Sequence, residues 1–420
     1  MAENDGVLRT LFFSLLILAL VGDARVFFFV ANRIVFGSHK EEKPPYHWML
    51  FAVPPLLLVL TLLFWPLHRW VQIVADHRLV ERITPEPFED IMWSLALAKI
   101  GSAWLFIAAG IGAYWIVNRA GILLRGEPQV PGTRTNPSKV VALRKAHVPL
   151  AILRALGAHN DLYDLEITHH EVFIDTLPQS FDGYRIAFLT DTHVAAFVRR
   201  AFYKEIVART MKFDPDLILF GGDFVHWEKH ITLMSDVLMT DLAARDGVYA
   251  VLGNHDYWAN GDGVIAALTT RGVRFIINRS ISIRRGDDAI ALGGVDEIYR
   301  GRPDADAAFG RIDPHVPLIG LSHHPDIIDS LEHHRIDLLL CGHTHGGQIR
   351  FPFFGPVVVP SKHEGRYASG FHRVGNVLMY VSRGLGAIPP LRILCKPEIA
   401  TFTLRRTSNA DETLRSLARD

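Results

Sequence analysis

The apolar positions of this chain follow two different rhythms. Up to about residue 118 they run in long blocks. From about residue 161 they come as short, β-branched bursts separated by more polar stretches. Trp48 through Leu67 is twenty residues without a charge, long enough to cross roughly 30 Å of hydrocarbon as a helix. Pro54 and Pro55 inside it predict a kink, which membrane helices tolerate better than soluble ones. Residues 91 to 118 form a second block, interrupted by Lys99 and carrying Trp93, Trp104, Tyr114 and Trp115 at positions suited to interfacial belts. A shorter block, Val7 to Gly22, meets Asp23 and Arg25 before Val26–Val30 resumes. It has no small-x-small cleavage site and further blocks follow it, which argues against a removed signal peptide. The pattern predicts about three transmembrane helices in residues 1–125.

In the second regime the predicted strands are Tyr184–Leu189, Asp216–Phe220, Gly247–Leu252, Arg274–Ile277, Ala289–Leu292, Pro317–Leu321, Ile336–Leu340, Val377–Val381 and Ile399–Leu404. Helical spacing covers Arg200–Met211, Ile231–Ala244 and Gly263–Arg271. Short strands alternating with helices predict an α/β domain over residues 161–406. Residues 126–160, basic and interrupted by Pro128, Pro131 and Pro137, read as a linker, and residues 407–420 as a polar tail.

Charge and cysteine content refine this picture only locally. The 44 basic and 44 acidic side chains among 420 residues balance, so no net attraction to nucleic acid is expected. Their distribution matters more. Arg119, Arg125, Arg134, Lys139, Arg144 and Lys145 follow the last apolar block and, with Arg33, Lys40 and Lys43, outnumber Arg9, Arg69, Arg78 and Arg82 of the other side. The positive-inside rule then places the C-terminal domain in the cytoplasm. Cys341 and Cys395 are the only cysteines, too few for a disulfide framework or a cysteine-built zinc site, and Cys341 reads as a small apolar strand residue.

The chemistry lies just beyond the ends of the predicted strands. Asp191 and His193 follow one, Asp223 the next, and Asn254, His255 and Asp256 the third. His323 and His324 follow another, and Gly342-His343-Thr344-His345-Gly346-Gly347 follows Ile336–Cys341. Taken singly, each has an ordinary explanation, since aspartate caps helices and Gly-Asn-His makes turns. Five such placements in one domain favour a ligand site outside the carboxyl ends of the strands. Neutral imidazole and carboxylate are metal ligands, and flanking glycines allow close backbone approach. Of the adjacent His323 and His324, only one can point inward from an extended backbone. His169-His170 and His333-His334 match no pattern and read as surface residues.

The order Asp-x-His, Gly-Asp, Gly-Asn-His-Asp, His, Gly-His-x-His resembles the calcineurin-like metallophosphoesterases over about residues 161 to 405. Within them Ser322-His323-His324-Pro325-Asp326, Gly342–Ile349, Tyr380–Gly386 and Lys396–Ile399 are similar to the membrane-anchored YkuE/YaeI-type group. The resemblance implies a four-layer αββα sandwich, two mixed sheets flanked by helices. It implies two divalent ions, one held by Asp191, His193, bridging Asp223 and His345, the other by Asp223, Asn254, His323 and His343. His324 then falls outside the ligand set. Manganese, iron and zinc all suit this donor set. The resemblance leaves His255 to donate to the phosphoryl oxygen or leaving group, with Asp256 either orienting His255 or capping a helix.

The expected function is a dinuclear-metal phosphodiesterase or pyrophosphatase, integral to a bacterial cell membrane, with a lipid-linked nucleotide or phospholipid as one substrate class. A UDP-diacylglucosamine-type pyrophosphate is an example. Arg350-Phe351-Pro352-Phe353-Phe354-Gly355-Pro356-Val357 is the candidate apolar rim, with Arg199, Arg200 or Arg350 meeting phosphate; core packing explains the same residues. The alternatives are a broad phosphodiesterase merely tethered to the membrane, and a membrane sensor or scaffold with a catalytically dead domain.

Overall fold

The computed structural model describes residues 130–143, 159–196, 198–351, 355–356 and 358–407, with scattered positions before them. The chain divides into two compact units, Met1–Glu127 and Pro128–Asp420. Apart from those scattered positions, the three predicted membrane helices lie outside the described residues, as do the tail after residue 407 and Pro352, Phe353, Phe354 and Val357 of the predicted rim. Among the described residues no helix is long and apolar enough to cross a membrane.

The second unit is built on two sheets. The first has seven strands in the spatial order β1 (Thr133–Ala142), β2 (Asp164–Ile174), β15 (Glu398–Arg406), β3 (Arg185–Leu189), β4 (Leu217–Phe220), β5 (Val248–Ala250) and β6 (Val273–Phe275). The second runs β13 (Gly370–Val374), β14 (Val377–Val381), β10 (Ile336–Cys341), β9 (Leu318–Leu321), β8 (Asp288–Gly294) and β7 (Arg279–Arg285). β3 through β6 are mutually parallel, as are β8, β9, β10 and β14. The period-2 alternation of side chains sorts each strand between two layers. Ile186, Phe188, Leu217 and Leu219 face Leu292, Ile319, Leu338 and Leu340 of the opposite sheet. Ala187, Leu189, Ile218 and Phe220 face three helices, α1 (Arg200–Lys212), α2 (Ile231–Leu238) and α3 (Asn254–Thr269). Each fully buried aliphatic or phenyl side chain contributes roughly 1.5–3 kcal/mol, so this double-faced burial is the main reason the sheets pair. The outer face of the second sheet is covered by short helical segments, Asp306–Gly310, Pro325–Ser330 and Glu364–Tyr367. Cys341 is buried in β10 as expected.

Several expectations change. Thr133–Ala142, inside the stretch read as a linker, is the edge strand β1, and its Pro137 sits at a register shift where no ladder hydrogen bond is needed. β2 was missed because polar Thr, His and Glu interrupt its apolar positions; it nevertheless buries Leu165, Ile167 and Val172 between β1 and β15. α3 begins at Asn254, nine residues before the helix predicted from Gly263, since Asn260, Gly261 and Gly263 lower its apparent propensity. That early start puts Asn254 and His255 in the first turn of a helix. The candidate rim, Arg350–Val357, contains the two-residue strands β11 (Arg350–Phe351) and β12 (Gly355–Pro356).

Candidate metal centre

Parallel strands deliver their carboxyl ends to one edge, and the loops leaving β3, β4, β5, β9 and β10 meet there. Backbone bonds lock the loops together: Asp191 N donates to Gly222 O at 3.0 Å, His193 N to Asp223 O at 3.0 Å, and Gly342 N to His323 O at 2.9 Å. The side chains converge as two groups that share Asp223. Nε2 of His193 and Nε2 of His345 stand 3.1 Å apart, with Asp191 Oδ1 3.6 Å from His345 Nε2. Nε2 of His323 stands 3.1 Å from His343 Nδ1 and 3.2 Å from Asn254 Oδ1. Asp223 Oδ2 lies between the groups, 3.5 Å from His193 Nε2 and 3.3 Å from His323 Nε2. All seven residues predicted as ligands therefore meet, His345 beside His193 and His343 beside His323.

The donor chemistry fits cations at this point. His323 Nδ1 lies 2.7 Å from the Gly221 carbonyl, which fixes that nitrogen as the donor and aims Nε2 at the cluster. Burial alone would lower the His323 pKa, but the carboxylates of Asp223 and then Asp191 and Glu297 push it up to about 10. His193 and His343 are held well below the usual imidazole range by burial, and His345 goes down to about 3 through burial and the nearby Arg392. These are neutral nitrogens with available lone pairs around a carboxylate that attracts positive charge. Burial raises Asp191 to about 7 even though His323 opposes it, another group better satisfied by a cation than alone.

The backbone is held in an unusual state to achieve this. Asp191, His193, Asp223, His343 and His345 all adopt positive φ, between 40° and 69°. Non-glycine residues rarely do so, and such strain collects at functional sites. Asp191 is also walled in tightly. A Cβ on Gly342 would lie 2.4 Å from its Oδ2, and one on Gly384 (φ +68°) 2.7 Å from its Cβ. Gly342 N is followed by His343 N, which donates to both Asp191 carboxylate oxygens at 3.0 Å. Gly384 of the Tyr380–Gly386 segment thus serves close approach to the Asp191 carboxylate.

His255 stands at the edge of the cluster, its ring 4.8 Å from His193 and perpendicular to it, and its backbone N–H donates to Asp223 Oδ1 at 2.8 Å. Asp256 does not reach it. Asp256 is buried, accepting from Phe224 N and Val225 N through Oδ1 and from Gly253 N through Oδ2 at 2.8, 3.2 and 3.0 Å. The helical twist carries the next residue to a different face, so Asp256 points back to its own N-cap and to the β4 loop. The expectation that it orients His255 is corrected; the helix-capping alternative is what the contacts describe.

The neighbour that does meet His255 is His226, with Nδ1 atoms 2.8 Å apart. It lies three residues past Asp223, a position adjacent to a predicted ligand that sequence reading passed over. Arg392 was also missed. It is fully buried, donates to the Gly386 and Arg383 carbonyls at 3.0 and 2.8 Å, and lies 3.4 Å from His345 Nδ1. Nothing in its Pro-rich surroundings signals that role. His324, outside the predicted ligand set, is buried with its ring 3.9 Å from that of His343. His170, expected at the surface, is buried between sheets and contacts Tyr380 Oη at 3.1 Å. Arg199 and Arg200 are exposed at the start of α1, and Arg350 Nη1 donates to Ser369 Oγ at 3.4 Å.

Residues 184–347 match the calcineurin-like phosphoesterase family model. The metallophosphoesterase YkuE of Bacillus subtilis is 33% identical over 253 residues, covering 58% of this chain and 87% of YkuE. The chain belongs to the calcineurin-like metallophosphoesterases. This family consists of metal-dependent hydrolases of phosphoric esters. Phosphodiesterase YaeI of Escherichia coli is 31% identical over 229 residues, covering 53% of this chain and 82% of YaeI. The UDP-2,3-diacylglucosamine pyrophosphatase LpxG of Chlamydia trachomatis is 28% identical over 280 residues, covering 53% and 85%.

Proposed function

We propose that this metallophosphoesterase is a dinuclear phosphodiesterase or pyrophosphatase working at a membrane. The observation that carries the reading is Asp223, whose carboxylate stands between two convergent nitrogen sets at 3.5 and 3.3 Å. One ion would be held by Asp191, His193, Asp223 and His345, the other by Asp223, Asn254, His323 and His343. Bound divalent ions supply Lewis-acid stabilisation of phosphoryl oxygens and an acidified water. The chain supplies the rest. The first turn of α3 directs its amide dipoles toward the cluster, favouring an anionic substrate. His255, at the cluster's edge, is placed to donate to a phosphoryl or leaving-group oxygen, and its contact with His226 holds the ring in orientation. Asp256 fixes the β4 loop to the start of α3, so Asp223 and Asn254 keep their spacing.

The apolar blocks before residue 118 and the basic excess after them support an anchor in residues 1–125, a linker from there to β1, and a cytoplasmic catalytic domain. They make a lipid-linked substrate the favoured class, and the activity in the name of LpxG adds a UDP-diacylglucosamine-type pyrophosphate as the first compound to try. The test is metal content and turnover of purified full-length protein reconstituted with manganese, iron or zinc. It is offered bis-p-nitrophenyl phosphate and a UDP-linked lipid. Asp223→Asn is expected to lose metal and at least about 100-fold in activity, more than the 10–100-fold typical of residues that only support ligands. A variant that keeps its activity refutes the bridging role. Metal-loaded wild type that cleaves no diester supports the scaffold alternative, and equal turnover of soluble and lipid diesters supports the broad, tethered enzyme.

A further inference from the structure

Two exposed aromatic side chains stand out among the described residues of the second unit, Trp227 at 44% and Trp258 at 54% accessibility. Both belong to the mouth of the metal centre. Trp227 leaves the β4 loop beside His226, ring centroids 4.1 Å apart at 82°. Trp258, one turn into α3, meets His255 at 4.5 Å and 76°. Since His226 and His255 are themselves in contact, and His255 faces His193, each indole is one or two imidazole rings from the ligand set. Each also carries a cation. Lys229 Nζ lies 5.5 Å from the Trp227 ring and the Arg300 guanidinium 5.5 Å from the Trp258 ring.

The frame around these rings is held in place. Asn260 Nδ2 of α3 donates to Glu228 Oε1 at 2.6 Å, joining the helix to the loop after Trp227. Arg300 is set by a buried carboxylate: Glu297 Oε2 accepts from Tyr299 N at 2.7 Å and Arg300 N at 2.6 Å. Tyr257 Oη, next to Trp258, donates to Asp296 Oδ1 at 2.6 Å and ties α3 to the same loop. Both indoles are thus backed by rigid elements and beside the reacting centre.

We infer that Trp258 and Trp227, with Arg300 and Lys229, form a subsite for a planar aromatic ring joined to the phosphoryl group, a nucleobase or an aryl group. An indole face accepts either ring by stacking, and base–aromatic stacking is sequence-tolerant because every base has a π face. The two cations suit a second anionic oxygen, as in a pyrophosphate. A lipid surface would also attract tryptophan and basic residues. Contact with His226 and His255 favours the substrate, because a bilayer pressed onto these rings would lie across the site's own opening. The inference rests on the metal-centre reading, since the ring is located relative to a phosphate held there.

The test is equilibrium binding, which needs no turnover. Manganese-loaded full-length protein is titrated with thymidine 5′-phosphate, phenyl phosphate and ribose 5-phosphate, for wild type, Trp258→Ala, Trp258→Phe and Trp227→Ala. Wild type should bind at least one ring-bearing phosphate about tenfold more tightly than ribose 5-phosphate. Trp258→Ala should close that gap and Trp258→Phe should restore it. Preference for thymidine 5′-phosphate or for phenyl phosphate identifies the nucleobase or the aryl source. No gap in wild type, or a gap unchanged in both alanine variants, overturns the subsite. So does a gap that survives while the variants lose binding to phosphatidylglycerol vesicles. Whether ribose 5-phosphate and manganese bind at all reports separately on the metal centre.

Discussion

Glu398 offers a quantitative check on how the site is supported from behind. It begins β15, is buried, and gathers one end of the inter-sheet core. Its Oε1 accepts from Thr168 Oγ1 at 2.8 Å and Tyr380 Oη at 2.6 Å, and its Oε2 accepts from Arg383 N at 3.0 Å. The Arg383 guanidinium stands 3.3 Å from Oε1 and also reaches Glu166 at 2.9 Å. Burial alone would raise the Glu398 carboxyl, but Arg383 and these hydrogen bonds bring it from 4.5 down to about 2. At 1.36 kcal/mol per pKa unit, that shift corresponds to about 3 kcal/mol of stability. The sign follows from the depressed folded value. The contribution is complete above pH 4.5, where the unfolded carboxyl is also ionised, and is lost as pH falls from 4.5 toward 2. Glu398→Gln keeps the shape and removes the charge, leaving Arg383 with Glu166 alone. We expect it to lose about 3 kcal/mol at pH 7, in the range known for breaking a buried ion pair. Urea unfolding at pH 7 and at steps down to pH 2.5 measures this, and the gap between wild type and variant should shrink as the pH falls. A variant within about 1 kcal/mol of wild type at pH 7, or a gap that does not narrow in acid, would refute the reasoning. Because Glu398 N donates to Gly384 O at 2.9 Å and Gly384 borders Asp191, metal affinity should fall as well.

His170 provides a second pH window. Burial lowers it from 6.5 to about 4, so the unfolded state takes the proton first, and up to about 3 kcal/mol of stability is lost as pH falls from 6.5 to 4. His170→Gln should flatten that part of the stability profile; an unchanged slope would show that His170 is not the group responsible. Asp256→Asn separates a structural from a chemical role. One of the three backbone donors would face an amide N–H, costing about 1–3 kcal/mol of stability, with metal affinity down roughly 10–100-fold. Full stability with reduced kcat would instead restore it as a partner of His255.

The converging aspartate, histidine and asparagine side chains were legible in the sequence because the chemistry expected of the family requires particular side chains at strand ends, and strand ends are marked by apolar runs that stop. Asp191, His193, Asp223, Asn254, His323, His343 and His345 all announce themselves in this way. What supports them does not. His226 and Arg392 act through direction, a property no spacing rule encodes, and Asp256 was assigned by adjacency when the helical twist turns it away from His255. β2 was hidden for a related reason: its polar members satisfy their bonds inside the sheet, His170 with Tyr380 and Thr168 with Glu398. The same network explains why a segment as distant as Lys396–Ile399 accompanies the metal-binding blocks. Glu398 holds the turn that includes Gly384, and Gly384 leaves room for Asp191 in a left-handed conformation that its side chain would not adopt alone. Five residues of the cluster held at positive φ need such enforcement. At about 1–3 kcal/mol each, the five together are comparable to the whole margin by which a domain is stable, so the support must come from the two-sheet core and not from the loops themselves. The site is therefore spread through the fold, with ligands at one edge and the residues that keep them there on β2, β14 and β15.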